Sequence, residues 1–165
     1  MGSNLSSSFG DRFKNIDLAI SYLELYKIKI IRKSSFYETP SYPDIKNPKF
    51  INIVVEVSTY LPPKDLASIL IFVEEKLERK RIKKNEPRTC DIDIIDYDGK
   101  VMNFSYKSLI FKVPHEKLIY RNFVLFPLRE IAPKWVHPKN KDSIDVLINK
   151  LPNEEKDSIL KITKS

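Results

Sequence analysis

Branched and aromatic runs alternate with amphipathic stripes along this sequence, and few architectures accept that alternation. Ile28 to Tyr37 and Phe50 to Thr59 read as strands, the second the more buried because its apolar run is nearly continuous. Ile16, Ala19, Ile20 and Leu23 recur at helical spacing and predict a helix over 11–25 with Asp11 as its N-cap. Leu66, Ile69, Leu70, Val73 and Leu77 predict a second helix, with Pro63 placed in its first turn, where no N–H partner is needed. Pro40, Pro43 and Pro48 mark the loop between the two strands. A third strand is expected over Thr89 to Tyr97, turned by Asp98-Gly99 onto Val101 to Phe104, and further helices over 121–131 and 142–151. Helices and strands interleaved in this order predict an α/β (α+β) sandwich, a mainly antiparallel sheet flanked by helices in a ferredoxin-like arrangement. Its 165 residues suit one core.

The net charge of +7 points to an anionic partner. Only three glycines occur, Gly2, Gly10 and Gly99, so neither glycine-rich phosphate-binding loop can form and side chains must hold any bound phosphate. The single cysteine, Cys90, cannot form an internal disulfide, and with two histidines it cannot build a common structural zinc site. The chain has no apolar run of membrane-spanning length and no signal-peptide pattern at Met1, so a cytoplasmic protein is expected.

Strand periodicity in Arg88-Thr89-Cys90-Asp91-Ile92-Asp93-Ile94 puts Asp91 and Asp93 on one face and Cys90, Ile92 and Ile94 on the other. Two neighbouring carboxylates repel unless a cation lies between them, and a hard divalent ion with oxygen ligands would resolve the conflict while leaving positions open for phosphate. Taken alone, an Asp-x-Asp pair also reads as two acids facing solvent. A basic cluster lies upstream, Lys76, Arg79, Lys80, Arg81, Lys83 and Lys84, and Arg88 stands three residues before Asp91. Such cations could clamp nucleotide phosphates, form a solvated helix end or bind RNA. The polar Asn52 inside an apolar strand needs hydrogen-bond partners and so draws attention to itself. Phe123 within Phe123-Val124-Leu125-Phe126 reads by itself as core packing, His115 as a loop histidine and His137 as structural.

The run Pro87-Arg88-Thr89-Cys90-Asp91-Ile92-Asp93-Ile94, then Val113-Pro114-His115, then Arg121-Asn122-Phe123 through Leu128-Arg129-Glu130-Ile131-Ala132-Pro133 resembles the 6-hydroxymethyl-7,8-dihydropterin pyrophosphokinases of folate biosynthesis. Gly2-Ser3-Asn4-Leu5, Gly10-Asp11-Arg12, Ser35 to Pro40 and Phe50-Ile51-Asn52 extend the resemblance in order, so a domain over 1–151 is expected, followed by a tail over 152–165. The resemblance implies transfer of a diphosphate from ATP to the pterin hydroxymethyl group with release of AMP. It implies that Asp91 and Asp93 hold two Mg2+ ions, that Arg79 and Arg88 stabilise the transferring group, and that Glu74, Arg81, Lys112, His115 and Arg121 belong to the ATP site. Thr39, Pro40, Tyr42, Phe50, Asn52 and Phe123 match the pterin pocket. ATP and the pterin are the expected partners of a monomer, with neither membrane nor nucleic acid among them.

Several positions depart from the family. A first central strand is expected to be missing, since only Met1 stands before Gly-Ser-Asn, and the expectation is of a longer reading frame in which Met1 is internal. Glu78 and Glu86 replace usual glycines before Arg88, and Asn85 stands where an aromatic is common. Phe50 stands where tyrosine is usual, and Ile110 and Lys112 lie where other polar contacts are found. The competing readings are a ferredoxin-like RNA-binding protein that stacks bases on Phe36 and Tyr37, and a degenerate relative that binds pterin without turnover.

Overall fold

The computed structural model describes residues 1–81 and 85–163, so Lys83 and Lys84 of the basic cluster lie outside the described residues. In chain order come β1 (Gly2–Ser3), α1 (Arg12–Leu25), β2 (Lys29–Lys33), β3 (Phe36–Thr39), β4 (Phe50–Asn52), β5 (Val55–Ser58) and α2 (Pro63–Lys76). There follow β6 (Met102–Tyr106), β7 (Leu109–Val113), a 3-10 turn (Leu118–Tyr120), α3 (Asn122–Ile131), α4 (Ile144–Lys150), α5 (Asn153–Asp157) and β8 (Leu160–Ile162). The strands pair antiparallel in the orders β1-β4-β3-β8, β2-β5 and β6-β7, with the helices flanking them, which is the ferredoxin-like α+β architecture.

The helices begin where their sequence signals lie. Asp11 accepts the Lys14 N–H at 2.8 Å, and Pro63 opens α2. At the C-terminal end of α2, Arg79 N–H reaches the Glu74 carbonyl at 3.0 Å while Glu78 adopts φ 65°, a left-handed closure that glycine usually provides. Ser8 stabilises Glu78 there, donating both its N–H and its hydroxyl to the carboxylate. The apolar faces of α1 and α2 cover a core of Leu23, Ile28, Leu70 and Leu77 with Cys90, Ile92 and Ile94, whereas α3 and α4 enclose Leu125, Leu128, Ile144 and Leu147.

Each of the first two expected strands divides in two. β2 and β5 slip register at a bulge between Ile30 and Arg32. Beyond it the Ser34 hydroxyl accepts the Val54 N–H at 3.0 Å, interrupting the ladder before β3 and β4 resume it. The expected strand over 89–97 is an extended ribbon: a ladder bridge joins Asp91 to Gly2, with 2.9 and 2.8 Å bonds, and His115 N–H reaches the Ile95 carbonyl at 3.3 Å. The expected hairpin at Asp98-Gly99 is corrected as well. That dipeptide does turn the chain, but the paired hairpin is β6–β7, whose two turn residues Lys107 and Ser108 both take positive φ, the geometry a tight antiparallel turn demands.

Of the central strand expected to be missing, β1 supplies two residues between β4 and the Asp91 ribbon. The Met1 amino group donates to the Ile53 carbonyl at 2.8 Å. Alongside it, Val54–Val57 and Ile92–Asp96 face each other across a cavity of about 770 Å³ with Leu66, Leu70 and Leu128 in its walls.

Candidate active site

Asp91 and Asp93 stand where alternation along the ribbon puts them, opposite the buried Cys90, Ile92 and Ile94. Each carboxylate meets basic side chains. Arg79 Nη1 lies 2.5 Å from Asp91 Oδ1 and donates to the Cys90 carbonyl at 3.1 Å. Arg88 Nε lies 2.9 Å from Asp91 Oδ2, yet it is buried and makes no hydrogen bond, so the contact is one of charge with an unspent donor. Arg121 Nη1 lies 3.3 Å from Asp93 Oδ2, and His115 Nε2 lies 3.8 Å from the same oxygen. Burial works against ionisation of Asp91, but Arg88 and Arg79 outweigh it and hold the carboxyl below its ordinary range. Burial also lowers His115, assisted by Arg121 against Asp93, and Lys117 N–H donates to its Nδ1 at 3.1 Å.

Glu74 lies beneath these groups. It is 2% exposed, accepts the Ile92 N–H at 2.7 Å, pairs with Arg79 at 2.5 Å and with Arg81, and burial pushes it up to about 7. Matched to the ATP site by the resemblance, Glu74 meets the ribbon and the arginines; it fastens the end of α2 to the backbone that carries the aspartates. Arg81, Asp91, Asp93, Lys112 and His115 line a second cavity of about 300 Å³, whose other wall is apolar, including Leu70, Ile71, Leu109 and Phe111. Sequence reasoning missed that apolar wall because Leu70 belongs to the buried stripe of α2 and nothing in its spacing marks a second use.

The residues matched to the pterin pocket meet through strand register. Thr39 pairs with Phe50 across β3–β4, and the Asn52 amide donates to Thr39 Oγ1 at 3.1 Å. Gly2 permits this, because a Cβ there would sit 2.9 Å from Asn52 Oδ1. Phe50 lies under the Arg88 guanidinium at 4.9 Å and Phe123 under that of Arg121 at 5.4 Å, so the two aromatic rings adjoin the two carboxylates. Pro40 and Tyr42 stand apart on the exposed loop, Tyr42 84% exposed. Asn4, also missed as a site residue, ties the set together. Its amide donates to Ser41 Oγ at 3.2 Å and to the Pro48 carbonyl at 3.0 Å, while its oxygen accepts the Arg88 N–H at 2.7 Å. The Gly2-Ser3-Asn4 motif was its signal.

Among the described residues no group of three or more His, Cys, Asp or Glu side chains forms a metal cage, so protein ligands to an ion here reduce to the carboxylate pair. Two carboxylates paired with arginines, beside a cavity with one charged and one apolar wall, suit the chemistry of nucleotide-dependent phosphoryl or pyrophosphoryl transfer.

Comparison with known proteins narrows that class. The sequence model of the 7,8-dihydro-6-hydroxymethylpterin-pyrophosphokinase (HPPK) family matches residues 1–133. A 2-amino-4-hydroxy-6-hydroxymethyldihydropteridine pyrophosphokinase of Synechocystis is 34% identical over 148 residues, covering 89% of this chain and 73% of that protein. One from Aquifex aeolicus is 36% identical over 134 residues, covering 81% of each. The folic acid synthesis protein fol1 of Pneumocystis carinii is 34% identical over 152 residues, which cover 92% of this chain but 20% of that longer protein. The chain belongs to the HPPK family and is a kinase-type transferase of folate synthesis. The RNA-binding alternative is not favoured: Phe36 and Tyr37, which would have stacked bases, are 7% and 8% exposed.

Proposed function

We propose that this chain transfers the pyrophosphoryl group of ATP to the hydroxymethyl oxygen of 6-hydroxymethyl-7,8-dihydropterin, releasing AMP, at the Asp91–Asp93 pair. The observation that carries this reading is the ring of Arg79, Arg88 and Arg121 around two adjacent carboxylates. Asp91 and Asp93 fit two Mg2+ ions through their hard oxygen donors, and the buried Arg88 Nε left without a partner beside them fits a phosphate oxygen. Held by Asp91 and Asp93, magnesium would supply positive charge to offset the charge that builds on the phosphates.

The chain's own residues then do the following. Arg79 and Arg88 would face the transferring group, and Arg121 with His115 the remaining phosphate oxygens. The apolar wall formed by Leu70, Ile71 and Phe111 accepts the flat base, with Arg81 and Lys112 at its charged rim. Asn52 and Thr39 read the edge of the pterin, Phe50 and Phe123 take its faces, and Pro40 and Tyr42 approach from the loop. The protein forms no covalent bond to substrate, so positioning and electrostatics supply the rate. No helix of the described residues is long and apolar enough to cross a membrane, and the lone buried thiol of Cys90 suits a reducing compartment; we read the working form as a cytoplasmic monomer.

Incubation with ATP, Mg2+ and the pterin, followed by assay of AMP, tests the reading. Asp91→Asn and Asp93→Asn are each expected to lower kcat by roughly 10²-fold or more while the fold persists. AMP release that survives either change, or that continues undiminished in excess chelator, overturns it.

A further inference from the structure

Asn122 is 2% exposed at the first turn of α3. Its Nδ2 donates to the Glu155 carbonyl at 2.6 Å and to Ser158 Oγ at 2.9 Å, and its Oδ1 accepts the Phe123 N–H at 2.6 Å. The side-chain amide thus joins α3 to the segment around α5. That segment contributes little to the core: α5 buries no residue, Leu160 is exposed and Ile162 is partly buried. It is anchored further by the pairing of β8 with β3 from Phe36 to Glu38, next to Thr39, and by the ion pair of Lys161 with Glu130 at 3.5 Å. A segment with so little apolar burial, bonded both to β3 and to the start of α3, is better suited to orient those elements than to stabilise them.

We propose that Asn122 is a positioning residue through which the segment 152–163 fixes the orientation of the α3 N-terminus, and with it the Phe123 ring and the Arg121 guanidinium. Phe123, the next helical residue, points about 100° away from the inward-tethered Asn122, while Arg121 precedes the helix as its extended N-cap. Arg121 resting 5.4 Å from the Phe123 ring shows both on adjoining directions. Loss of the tether leaves the first turn to rotate, and the ring no longer presents a fixed face to a flat ligand. The proposal rests on the reading above in which Phe123 stacks on the pterin.

The test separates orientation from helix capping. Asn122→Asp keeps an oxygen for the Phe123 N–H and places favourable negative charge at the helix start, but removes both donors to the C-terminal segment. Ser158→Ala removes one acceptor from the far side without touching α3. Asn122→Asp is expected to raise the KM for pterin about tenfold with kcat at saturation within about twofold and to lower Tm, since it sets a carboxylate against the Glu155 carbonyl, and Ser158→Ala to shift KM in the same direction by less with Tm nearly unchanged. Wild-type KM in Asn122→Asp, or a fall in Tm with KM unchanged in both variants, overturns the proposal. Phe123→Ala serves as the control. If it raises the KM for pterin while Asn122→Asp does not, the tether alone is refuted; if it leaves the KM unchanged, the stacking assignment fails and the tether's role falls with it.

Discussion

Arg79 Nη1 sits 2.5 Å from Asp91 Oδ1 and 2.5 Å from Glu74 Oε1, so one guanidinium joins a site carboxylate to a buried one. The contact ties catalysis to stability. With Arg79 only 10% exposed, its removal strands Glu74 on Arg81 and leaves Asp91 to Arg88.

Arg79→Met is therefore expected to destabilise the fold by about 1–3 kcal/mol, because Glu74 and Asp91 each lose one of two cationic partners, besides abolishing AMP release. Arg88→Met, whose side chain is 25% exposed, is expected to abolish activity at a smaller cost in stability. Denaturant titration of the two variants beside the AMP assay checks the contrast; equal destabilisation would contradict it.

Gly2→Ala tests the close approach of β1 to Asn52. The added Cβ meets Asn52 Oδ1 at 2.9 Å, and the amide must turn away from Thr39 to relieve the clash. The expected outcome is a loss of about 1–2 kcal/mol together with a raised KM for pterin, read by chemical denaturation and steady-state kinetics.

Ser108 occupies a left-handed position, φ 62°, in the β6–β7 turn. Ser108→Gly removes the steric penalty there and is expected to stabilise the protein by up to about 1 kcal/mol without altering turnover. A thermal melt that moves downward would show the turn to be otherwise constrained.

His137 predicts how stability depends on acid. Its Nδ1 accepts the N–H groups of Lys139 at 3.2 Å and Asn140 at 3.3 Å, and burial holds its pKa below the ordinary value despite Asp142 and Asp96. The unfolded chain therefore binds the proton first as pH falls through about 6.5. The contribution is complete above that value and declines from there down to the folded-state pKa. His137→Asn, whose Oδ1 can replace Nδ1 as acceptor, is expected to lose less stability between about pH 7.5 and about pH 5.5 than the unaltered chain, measured by denaturant midpoints.

Much of this molecule could be read before its coordinates. The helices over Arg12–Leu25 and Pro63–Lys76 follow their apolar stripes because each stripe finds a sheet to cover. The alternation at Cys90–Ile94 fixes which side the carboxylates take, even where a full ladder does not form, because burying Ile92 and Ile94 is enough to orient the backbone. What sequence could not show depends on distant partners. Ser34 breaks a strand because Val54 lies opposite it, Lys107-Ser108 turns a hairpin without glycine because β6 and β7 pair strongly on either side, and Glu74 serves as a brace because α2 ends against the ribbon. Asn122 gave no signal at all, since its partners Glu155 and Ser158 follow 33 and 36 residues later in a segment without a strong pattern.

The ribbon bearing Asp91 and Asp93 is gripped at its ends by Gly2 and His115 and at Ile92 by Glu74, and it borders the 770 Å³ cavity. A ribbon held at separate points is more compliant than one laddered along both edges, so amide hydrogens of Asp93 and Ile94 are expected to exchange with deuterium sooner than those of the laddered Ile51.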